Sequence, residues 1–464
     1  MCGILIGKSL SEQRVLSILH RGTECKIIKG GFDLCHHRLP IQTLDHDEWG
    51  QPVNIGGNKW LLFNGEIFNY PKNFSSDTEY LQSLFKRIAA INIHSVQSLL
   101  LPHISTWDGF WSIVLMDLDT GDILAFTDPL GKKPLYINPE GEVCSEIKGL
   151  IKSDSLPDMA FLSGVRKWGY VHDNSTPWQD IKRLTPNYFW EWNIDSPFNL
   201  SSSGPYFQFS PWDIPSDYEE LKDLIWSKLE SAVTNRLISN YPISFLLSGG
   251  LDSAILGGLL VKAGADVTWY TINNGEDAPY VEACEKYWGI QVKRLEYSME
   301  EDHTEIFHKW NETPIDMGSV VPQYHLFQAI KTQGTTRVVI SGDGADELFG
   351  GYRRILEYDS QYSDIFHELS YYHLPRLDKL SMAHTLELRT PYLNLDLVRI
   401  ALALPRELRT EKKILKETFR GLIPDAVIER KKHPLKNPSL IADQMGYRQE
   451  IVDRFLDAQL KGLF

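Results

Sequence analysis

The stretch FLLSGGLDS, residues 245–253, decides the fold of the second half of this chain. An apolar run ends in a pair of glycines, and an apolar segment with helical spacing follows them. The N–H groups of such a turn, and of the helix behind it, point at an anion, and glycines let a phosphate approach the backbone. An ordinary glycine-rich turn explains the glycines but not the polar residues around them. The stretch therefore predicts a phosphate-binding loop made of Ser248, Gly249, Gly250, Asp252 and Ser253. Within this loop, Asp252 is suited to hold Mg²⁺.

Strands and helices alternate on both sides of this loop. Alternating β and α elements joined by short turns predict a parallel sheet wrapped by helices. From residue 368 onward the pattern is mostly helical. The predicted strands are residues 242–247, 267–272 and 337–340, and the predicted helices are residues 216–239, 254–263 and 280–288.

A second loop rich in glycine and acidic residues follows the predicted strand at 337–340, in the sequence VVISGDGADELFGGY at residues 338–352. Carboxylates beside a phosphate repel it unless they hold a metal ion or a proton. Asp343 and Asp346 are therefore candidates for the reacting centre, because a merely solvated acidic loop would not need the glycines. The formal net charge of −14 means that bound phosphates need local cations. The candidates for these cations are Lys379, Lys412, Arg430, Lys431 and Lys432.

The beginning of the chain carries a different set of reactive groups. If the initiator methionine is removed, Cys2 places a thiol beside its own α-amine, which titrates near neutral pH and can serve as a base. Alone, Cys2 would be an incidental cysteine in a first strand. Asn64 and Gly65 can donate hydrogen bonds to a developing oxyanion, although in isolation this dipeptide favours a hairpin turn. Arg38 and Asp77 offer the opposite charges that a free amino acid needs.

The first part of the chain is predicted to be β-rich, with packed sheets and helical cover. Residues 195–215 are rich in proline, serine and glycine, which predicts the connection between two domains. The predicted domains are residues 1–195 and 216–464, with residues 196–215 as the linker. The predicted strands are residues 3–7, 31–36, 59–63, 111–118 and 123–126, and the predicted helix is residues 77–91.

The overall totals exclude several classes of protein. The five cysteines are unevenly spaced and contain no C-x-x-C pair, so neither a disulfide framework nor a thiolate zinc site is predicted. His36 and His37 lack the spacing of metal ligands. The negative charge disfavours a broad nucleic-acid surface, and no apolar stretch is long enough to predict a membrane span or signal peptide. We therefore expect a soluble, cytoplasmic protein with no nucleic-acid or membrane partner.

Residues 2–190 resemble the class II glutamine amidotransferase domain, which has an N-terminal-nucleophile fold of sheets and helices. The resemblance rests on the motifs MCGI, HRG, HRL, FNGEI, DTE, DPLG and SEIK, in that order. It implies that Cys2 releases ammonia from glutamine and that Asn64 and Gly65 form the oxyanion hole. Pro40 departs from the serine that relatives often carry, which affects glutamine affinity rather than chemistry. The implied glutamine-binding residues are Arg38, Leu39, Ile41, Asn64, Gly65, Glu66 and Asp77.

Residues 216–437 resemble the synthetase domain of asparagine synthetases and their relatives, the β-lactam synthetases among them. The loop at 248–253 resembles the pyrophosphate loop of enzymes that cleave ATP between its α and β phosphates. The resemblance implies ATP and Mg²⁺ as cofactors. Asp343 stands where well-studied asparagine synthetases carry glutamate. Relatives that amidate other carboxylates also carry aspartate at this position. The implied roles are a nucleotide pocket of Leu246, Ile272, Ser341 and Gly342, a metal and pyrophosphate site of Asp252 and Asp346, and charge stabilisation by Lys379.

The two resemblances together predict an ATP-dependent, glutamine-dependent amidotransferase with aspartate as the favoured acceptor. The family implies an acyl-adenylate intermediate and a protein channel that carries ammonia between the two sites. A second hypothesis keeps the fold and changes the acceptor to a sugar acid, a peptide or another metabolite. A third is a non-catalytic sensor of glutamine or nucleotide, against which the intact Cys2, Asn64, Asp252 and Asp346 argue. The sequence leaves a homodimer open.

Overall fold

The computed structural model describes most of the chain. The described residues are 2–42, 50–89, 96–272, 275–296, 303–315, 317–352, 366–430 and 444–463. Lys431 and Lys432, which the sequence proposes as local cations, lie outside these ranges, as do the last two residues of the helix predicted at 77–91. Within the described residues, no helix combines the length and the apolar character that crossing a bilayer requires.

The first half of the chain forms two antiparallel six-stranded sheets, which confirms the predicted β-rich part. The first sheet has the order β10-β8-β9-β1-β3-β2, and the second has the order β12-β11-β7-β6-β5-β4. Their strands are β1 Cys2–Gly7, β2 Glu24–Ile28, β3 Asp33–Arg38, β4 Val53–Gly56, β5 Lys59–Ile67, β6 Gly109–Asp117, β7 Asp122–Thr127, β8 Tyr136–Ile137, β9 Val143–Cys144, β10 Lys182–Arg183, β11 Tyr188–Asn193 and β12 Ser196–Pro205.

Apolar packing fixes how these two sheets lie on each other. Alternate residues of a strand point to opposite faces, so one face of each sheet can be wholly apolar. Ile4 and Ile6 of β1 pack with Leu62 of β5 and Val114 of β6 in one buried cluster between the sheets. A second buried cluster joins the other face of the second sheet to the helices at 77–89 and 96–104. The result is a sandwich of sheets with helical cover, as the sequence predicts.

The predicted linker is wrong for the first half of its length. Ser196–Pro205 forms β12, which pairs antiparallel with β11 at the edge of the second sheet. Serine, glycine and proline are poor strand formers, but an edge strand needs only one neighbour to satisfy half of its backbone groups. The register shifts between Tyr188 and Trp190 and again between Glu191 and Asn193, so the edge pairing is irregular. Pairing with a neighbouring strand, which propensity does not report, decides this segment.

The second half of the chain builds a five-stranded sheet of parallel strands in the order β15-β14-β13-β16-β17, which confirms the predicted α/β domain. The chain leaves β13 on one side to form β14 and later returns on the other side to form β16. The carboxyl ends of β13 and β16 therefore flank a topological switch point, where ligands bind in open α/β sheets. The strands are β13 Ile243–Leu246, β14 Val267–Ile272, β15 Val292–Leu295, β16 Val338–Ile340 and β17 Glu387–Arg389.

Helices cover both halves of the molecule. In chain order the α-helices are α1 Glu12–Ser17, α2 Asp77–Ala89, α3 Val96–Ile104, α4 Met159–Trp168, α5 Tyr218–Asn235, α6 Leu251–Lys262, α7 Ala278–Trp288, α8 Met317–Gln333, α9 Ala345–Leu348, α10 Leu374–Met382, α11 Leu395–Ala403, α12 Arg406–Arg409, α13 Lys413–Thr418, α14 Asp425–Ile428 and α15 Gln444–Leu460. Shorter 3₁₀ or π turns lie at Leu19–Arg21, Ile147–Gly149, Ile306–Trp310, Leu369–His373, Pro391–Leu393 and Thr410–Lys412.

A buried network of ion pairs joins the two halves. The guanidinium of Arg21 is fully buried, and its Nη1 lies 2.7 Å from Glu146 Oε1 while its Nη2 lies 2.9 Å from Asp378 Oδ2 on α10. Lys133 Nζ lies 2.6 Å from the other oxygen of Asp378. Arg21 Nε also donates to the backbone carbonyl of Cys2 at 2.9 Å. The first strand and α10 are therefore held by one side chain.

We expect Arg21→Met to lower the free energy of unfolding by about 3–5 kcal/mol, because it leaves Asp378 and Glu146 short of a buried partner. Denaturant-induced unfolding of the two proteins measures the difference. Lys8→Ala is the matched control, since the Lys8–Asp195 pair lies at the surface with side chains 54% and 66% exposed, and such pairs contribute about 0–1 kcal/mol. Equal effects of the two substitutions would contradict a structural role for the network.

Candidate active sites

Cys2 begins β1 and is buried beside the strands β3 and β5. Its backbone nitrogen donates to Asn64 Oδ1 at 2.9 Å, and β1 pairs with β3 so that Cys2 lies opposite Arg38. Burial raises the pKa of the Cys2 thiol, while the positive N-terminus and the Leu39 backbone act in the opposite direction. The backbone nitrogen of Cys2, which becomes the α-amine if Met1 is removed, therefore lies against the asparagine predicted to bind the oxyanion.

Asn64 and Gly65 lie inside β5, so the hairpin-turn alternative for this dipeptide is wrong. Asn64 is fully buried, and its Nδ2 has no hydrogen-bond partner among the described residues. A buried donor without a partner is rare, and it is the group that an oxyanion requires. Gly65 has φ +154°, and a Cβ there would lie 2.1 Å from the Phe110 carbonyl oxygen of β6. The glycine is therefore also required by the close approach of two strands.

Charged side chains surround this corner of the sandwich. Glu66 and Asp77 are buried, and burial raises the pKa of both carboxyls, that of Asp77 to about 6. An ammonium group placed between them would favour their charged forms. Arg38 is held by Glu24, with Nη1 2.9 Å from Oε2, at the edge of the same corner. The structure thus brings together the predicted groups for the ammonium and the carboxylate of an amino acid.

This first site faces the second domain. Leu39 and Ile41 belong to the large apolar cluster that also contains the core of the parallel sheet. The Ile41 carbonyl accepts a hydrogen bond of 2.8 Å from the Asn240 N–H, and Arg389 of β17 lies 4.0 Å from Glu66. Residues of the second domain therefore close one side of the predicted glutamine pocket.

The second site lies at the switch point of the parallel sheet. Residues 247–250 connect β13 to α6, and Gly249 has φ +68°, a conformation that glycine adopts without strain. The helix begins after Gly250 with no side-chain cap, so its first N–H groups are available to an anion. The Ser248 and Ser253 hydroxyls lie 3.0 Å apart across the loop. The predicted phosphate loop therefore has the local geometry of an anion cradle.

Two carboxylates converge beside this loop. Lys412 Nζ lies 2.5 Å from Asp252 Oδ2 and also contacts Asp346 Oδ1. The two predicted metal ligands are thus close enough to share one cation. A Cβ at Gly351 would lie 1.8 Å from Asp346 Oδ1, so a larger residue there would displace this carboxylate. Arg430 packs on Tyr280 beside Gly249, so two of the predicted local cations lie at the phosphate loop.

The remaining residues of this site lie at the ends of neighbouring strands. Leu246 ends β13, Ile272 ends β14, and Ser341 follows β16. Ser341 Oγ donates to Asp343 Oδ2 at 2.6 Å, and burial raises the pKa of Asp343. At Gly342, a Cβ would lie 3.2 Å from the Ser253 backbone nitrogen, so the loop after β16 packs closely on the start of α6.

Lys379 lies apart from these contacts, on the domain boundary. Its Nζ is 3.0 Å from Glu312 Oε2 and 3.3 Å from the Asn311 carbonyl, and its ammonium also faces the Tyr136 ring. Glu312 in turn accepts the backbone N–H groups of Ile147 and Lys148 from the first domain. The lysine predicted for the adenylation chemistry is thus held by the interface, beside a cavity of about 40 Å³.

The sequence does not predict that several other residues meet at this interface. Arg21, Lys133 and Glu312 carry no motif that reports a partner in the other domain. Arg183 and Arg376 line the cavity beside Lys379, and burial lowers the pKa of both guanidiniums, that of Arg376 to about 9. Their long separation in the chain left no spacing signal that could have joined them.

The geometry defines a two-site protein, with a glutamine amidotransferase domain followed by a nucleotide-binding parallel-sheet domain. Residues 1–198 match the model of the glutamine amidotransferase domain, and residues 225–363 and 357–462 match the model of asparagine synthase. The chain belongs to the asparagine synthase family and is an ATP-dependent carbon–nitrogen ligase.

Curated relatives match over most of the chain. A Schizosaccharomyces pombe protein named "Probable asparagine synthetase [glutamine-hydrolyzing]" is 29% identical over 90% of this chain and 80% of its own length. The Brassica oleracea asparagine synthetase [glutamine-hydrolyzing] is 26% identical over 96% of this chain and 78% of its own length. The Gallus gallus protein of the same name is 27% identical over 98% of this chain and 88% of its own length.

We expect Asn64→Ala to lower kcat for glutamine hydrolysis by about 10²–10³-fold, because it removes a donor to the oxyanion. Steady-state release of glutamate from glutamine measures the effect. Asn58→Ala is the matched control, since Asn58 Nδ2 bonds to Asp119 at the surface. A loss of less than about threefold with Asn64→Ala would place the oxyanion elsewhere.

We expect the KM for glutamine to rise as the pH falls through about 6, because Asp77 then takes up a proton and loses its attraction for the substrate ammonium. About one pH unit below that pKa the increase should approach tenfold. Asp77→Asn should give a high KM that depends less on pH than that of the wild type, because Glu66 is then the one carboxyl of the pair that still titrates. Asp119→Asn, at an exposed turn, is the control and should keep the wild-type profile. A pH-independent wild-type KM between pH about 5 and 7 would remove Asp77 from ammonium binding.

Proposed function

We propose that this protein is a glutamine-dependent asparagine synthetase. Glutamine is hydrolysed to glutamate and ammonia in the first domain. In the second domain a carboxylate oxygen of aspartate attacks the α-phosphorus of ATP and pyrophosphate leaves, which gives an acyl-adenylate. Ammonia then attacks the acyl carbon and AMP leaves with the electron pair of the broken bond. The observation that carries the proposal is one chain with both sites, joined through the buried Arg21.

The glutaminase half is supported by the corner around Cys2. The thiolate attacks the side-chain carboxamide of glutamine, and the α-amine of a chain that begins at Cys2 takes up the thiol proton. Asn64 Nδ2, buried and without a partner among the described residues, donates to the oxyanion. Glu66 and Asp77 receive the ammonium of glutamine, and Arg38 receives its carboxylate. When the tetrahedral intermediate collapses, the C–N bond breaks and ammonia leaves with the proton that the α-amine had taken up, which gives a thioester on Cys2. Water then cleaves the thioester and releases glutamate.

The synthetase half is supported by the switch point of the parallel sheet. The loop of Ser248, Gly249 and Gly250 receives the phosphates, with the start of α6 behind it. Mg²⁺ fits this site, because Asp252 and Asp346 already converge on a single ammonium, that of Lys412. When bound, the ion neutralises phosphate charge and polarises the leaving pyrophosphate.

Ammonia has to leave the first domain without meeting bulk water, where it would be protonated. The domain boundary between Cys2 and α10 is buried, and its cations Arg21 and Lys133 are paired with Asp378 and Glu146. Burial without a free partner disfavours the ammonium ion but not neutral ammonia. A passage along this boundary would deliver ammonia beside Lys379, the neighbour of Asp378 in the sequence.

Asp343 is the residue on which the identity of the acceptor depends. Its carboxylate is tied to Ser341 at the end of β16, next to the predicted nucleotide pocket. It is one methylene shorter than the glutamate that asparagine synthetases carry, and a displacement of this size matters for a catalytic contact. This residue favours a second candidate, an amidotransferase of the same fold that acts on another carboxylate.

We expect about one asparagine to be formed for each AMP released when aspartate, ATP and glutamine are supplied, as one acyl-adenylate is consumed per amide. Quantifying both products measures this ratio. Asp343→Glu should keep the activity if the aspartate is a conservative replacement of the family glutamate. Cys2→Ala supplied with ammonium should keep the ratio and lose it with glutamine alone.

AMP release without asparagine, or no AMP release with aspartate, would contradict the assignment of the acceptor. A screen of sugar acids, peptides and other carboxylates for glutamine-dependent AMP release would then test the second candidate. Asp252→Asn serves as the negative control, because losing that charge should abolish AMP release with every acceptor. AMP release by Asp252→Asn at the wild-type rate would contradict the location of the adenylation site itself.

A further inference from the structure

Two thiols and an imidazole meet on the outer face of the first sheet. Cys25 lies on β2, and Cys35 and His37 lie on β3. Their ligand atoms all lie within 4.8 Å of one another, which no other group of three such side chains does in the described part of the chain. The sequence predicts no metal ligands here, because pairing of β2 with β3 is what places Cys25 opposite His37.

Strand geometry explains why these three side chains point the same way. Cys35 and His37 are two residues apart on one strand and therefore share a face of the sheet. His36, between them, points to the opposite face, where its Nε2 lies 3.0 Å from the Phe63 carbonyl of the second sheet. Cys25 is the cross-strand neighbour of His37, so its side chain joins the same face as Cys35 and His37.

The spacing of the sulfurs suits a tetrahedral metal ion. Cys25 Sγ and Cys35 Sγ lie 3.9 Å apart. With Zn–S bonds of about 2.3 Å, tetrahedral coordination places two sulfur ligands about 3.8 Å apart. A set of two thiolates and one imidazole also favours the binding of zinc over that of magnesium or calcium, which prefer oxygen ligands. The sulfurs therefore need little movement to bind one ion.

His37 supplies the third ligand atom of the cluster. Its Nε2 lies 3.7 Å from Cys35 Sγ and donates to the Val15 carbonyl at 2.9 Å. Its Nδ1 is buried with no hydrogen-bond partner among the described residues. An ion held beside Cys35 would therefore bind Nε2 in place of the Val15 carbonyl, and the imidazole proton would move to Nδ1.

A disulfide is the main alternative for two neighbouring thiols, and the register argues against it. Cys25 pairs with His37, whereas Cys35 pairs with Ile27, so the two cysteines are diagonal neighbours. Diagonal positions lie about 7–8 Å apart between Cα atoms, beyond the usual reach of a disulfide of about 4.4–6.8 Å. A metal ion between the sulfurs spans this separation without any movement of the backbone.

We propose that Cys25, Cys35 and His37 form a zinc site, with the fourth position open to solvent. Cys35 and His37 are fully buried, whereas Cys25 is exposed, so an ion can enter from the side of β2. The bound ion joins the edge strand β2 to β3, whose Arg38 lies opposite Cys2. The site is separate from both reaction centres, and its test does not depend on the proposed activity.

The test is metal binding by the reduced, metal-free, full-length protein. With Co²⁺ as the probe we expect a thiolate-to-metal charge-transfer absorption that Zn²⁺ displaces, and one zinc ion per chain in native mass spectrometry. Cys25→Ser should abolish the absorption and weaken zinc binding by more than about 10–100-fold, the loss seen when only a supporting residue is removed. Its side chain is exposed, so the variant should fold, which circular dichroism checks.

Matched variants locate the ion. Cys284→Ser removes a buried cysteine of the second domain, and Cys2→Ala removes the thiol of the first reaction centre, and both should bind zinc like the wild type. Zinc should raise the melting temperature of the wild type but not of Cys25→Ser. Equal binding by the wild type and Cys25→Ser would overturn the proposal, as would no binding at zinc concentrations of about 10 μM, well above the Kd of ordinary zinc sites. A Cys25–Cys35 disulfide that forms readily in oxidant, without metal binding in reductant, would also overturn it.

Discussion

The ion pair between Arg21 and Asp378 is the interaction on which the rest of the molecule depends. A buried guanidinium is stable only when carboxylates and carbonyls satisfy it, and here Glu146 and the Cys2 carbonyl complete the set. The three partners of Arg21 lie in separate elements. The first strand, the loop before Ile147–Gly149 and α10 must therefore meet in one arrangement. This requirement fixes the two domains relative to each other and therefore fixes the distance between their sites.

The position of each site follows from its strands, which approach each other closely in the first domain and end at a crevice in the second. In the first domain, the strands β5 and β6 come so close that only glycine fits at residue 65, and the same approach buries Asn64 with a donor unused. In the second domain, the reversal of strand order between β13 and β16 leaves a crevice into which two glycine-rich loops project. The charged groups differ accordingly, since the first site contains the buried carboxyls of Glu66 and Asp77 and the second contains the cations Lys412 and Arg430.

Much of this could be predicted from sequence because the signals are local. The β-rich first half, the parallel sheet and the phosphate loop each follow from periodicity and turn residues within short windows. The proline-, serine- and glycine-rich composition predicts a linker that includes Ser196–Pro205, whereas edge pairing with β11 makes this segment β12. The hairpin alternative at Asn64 failed for a similar reason, since a dipeptide cannot report that it lies inside a nine-residue strand.

The sequence by itself predicted the type of each reaction centre, because Cys2, Asn64, Asp252 and Asp346 stand in motifs that resemble those of the two domain families. Only the tertiary structure decided which distant residues meet them. Arg21 and Asp378 lie 357 positions apart, and Cys25 becomes a neighbour of His37 through strand pairing alone. The physical reason is that packing, strand register and buried charge pairing act between residues that are close in space, and a local pattern carries no record of that distance.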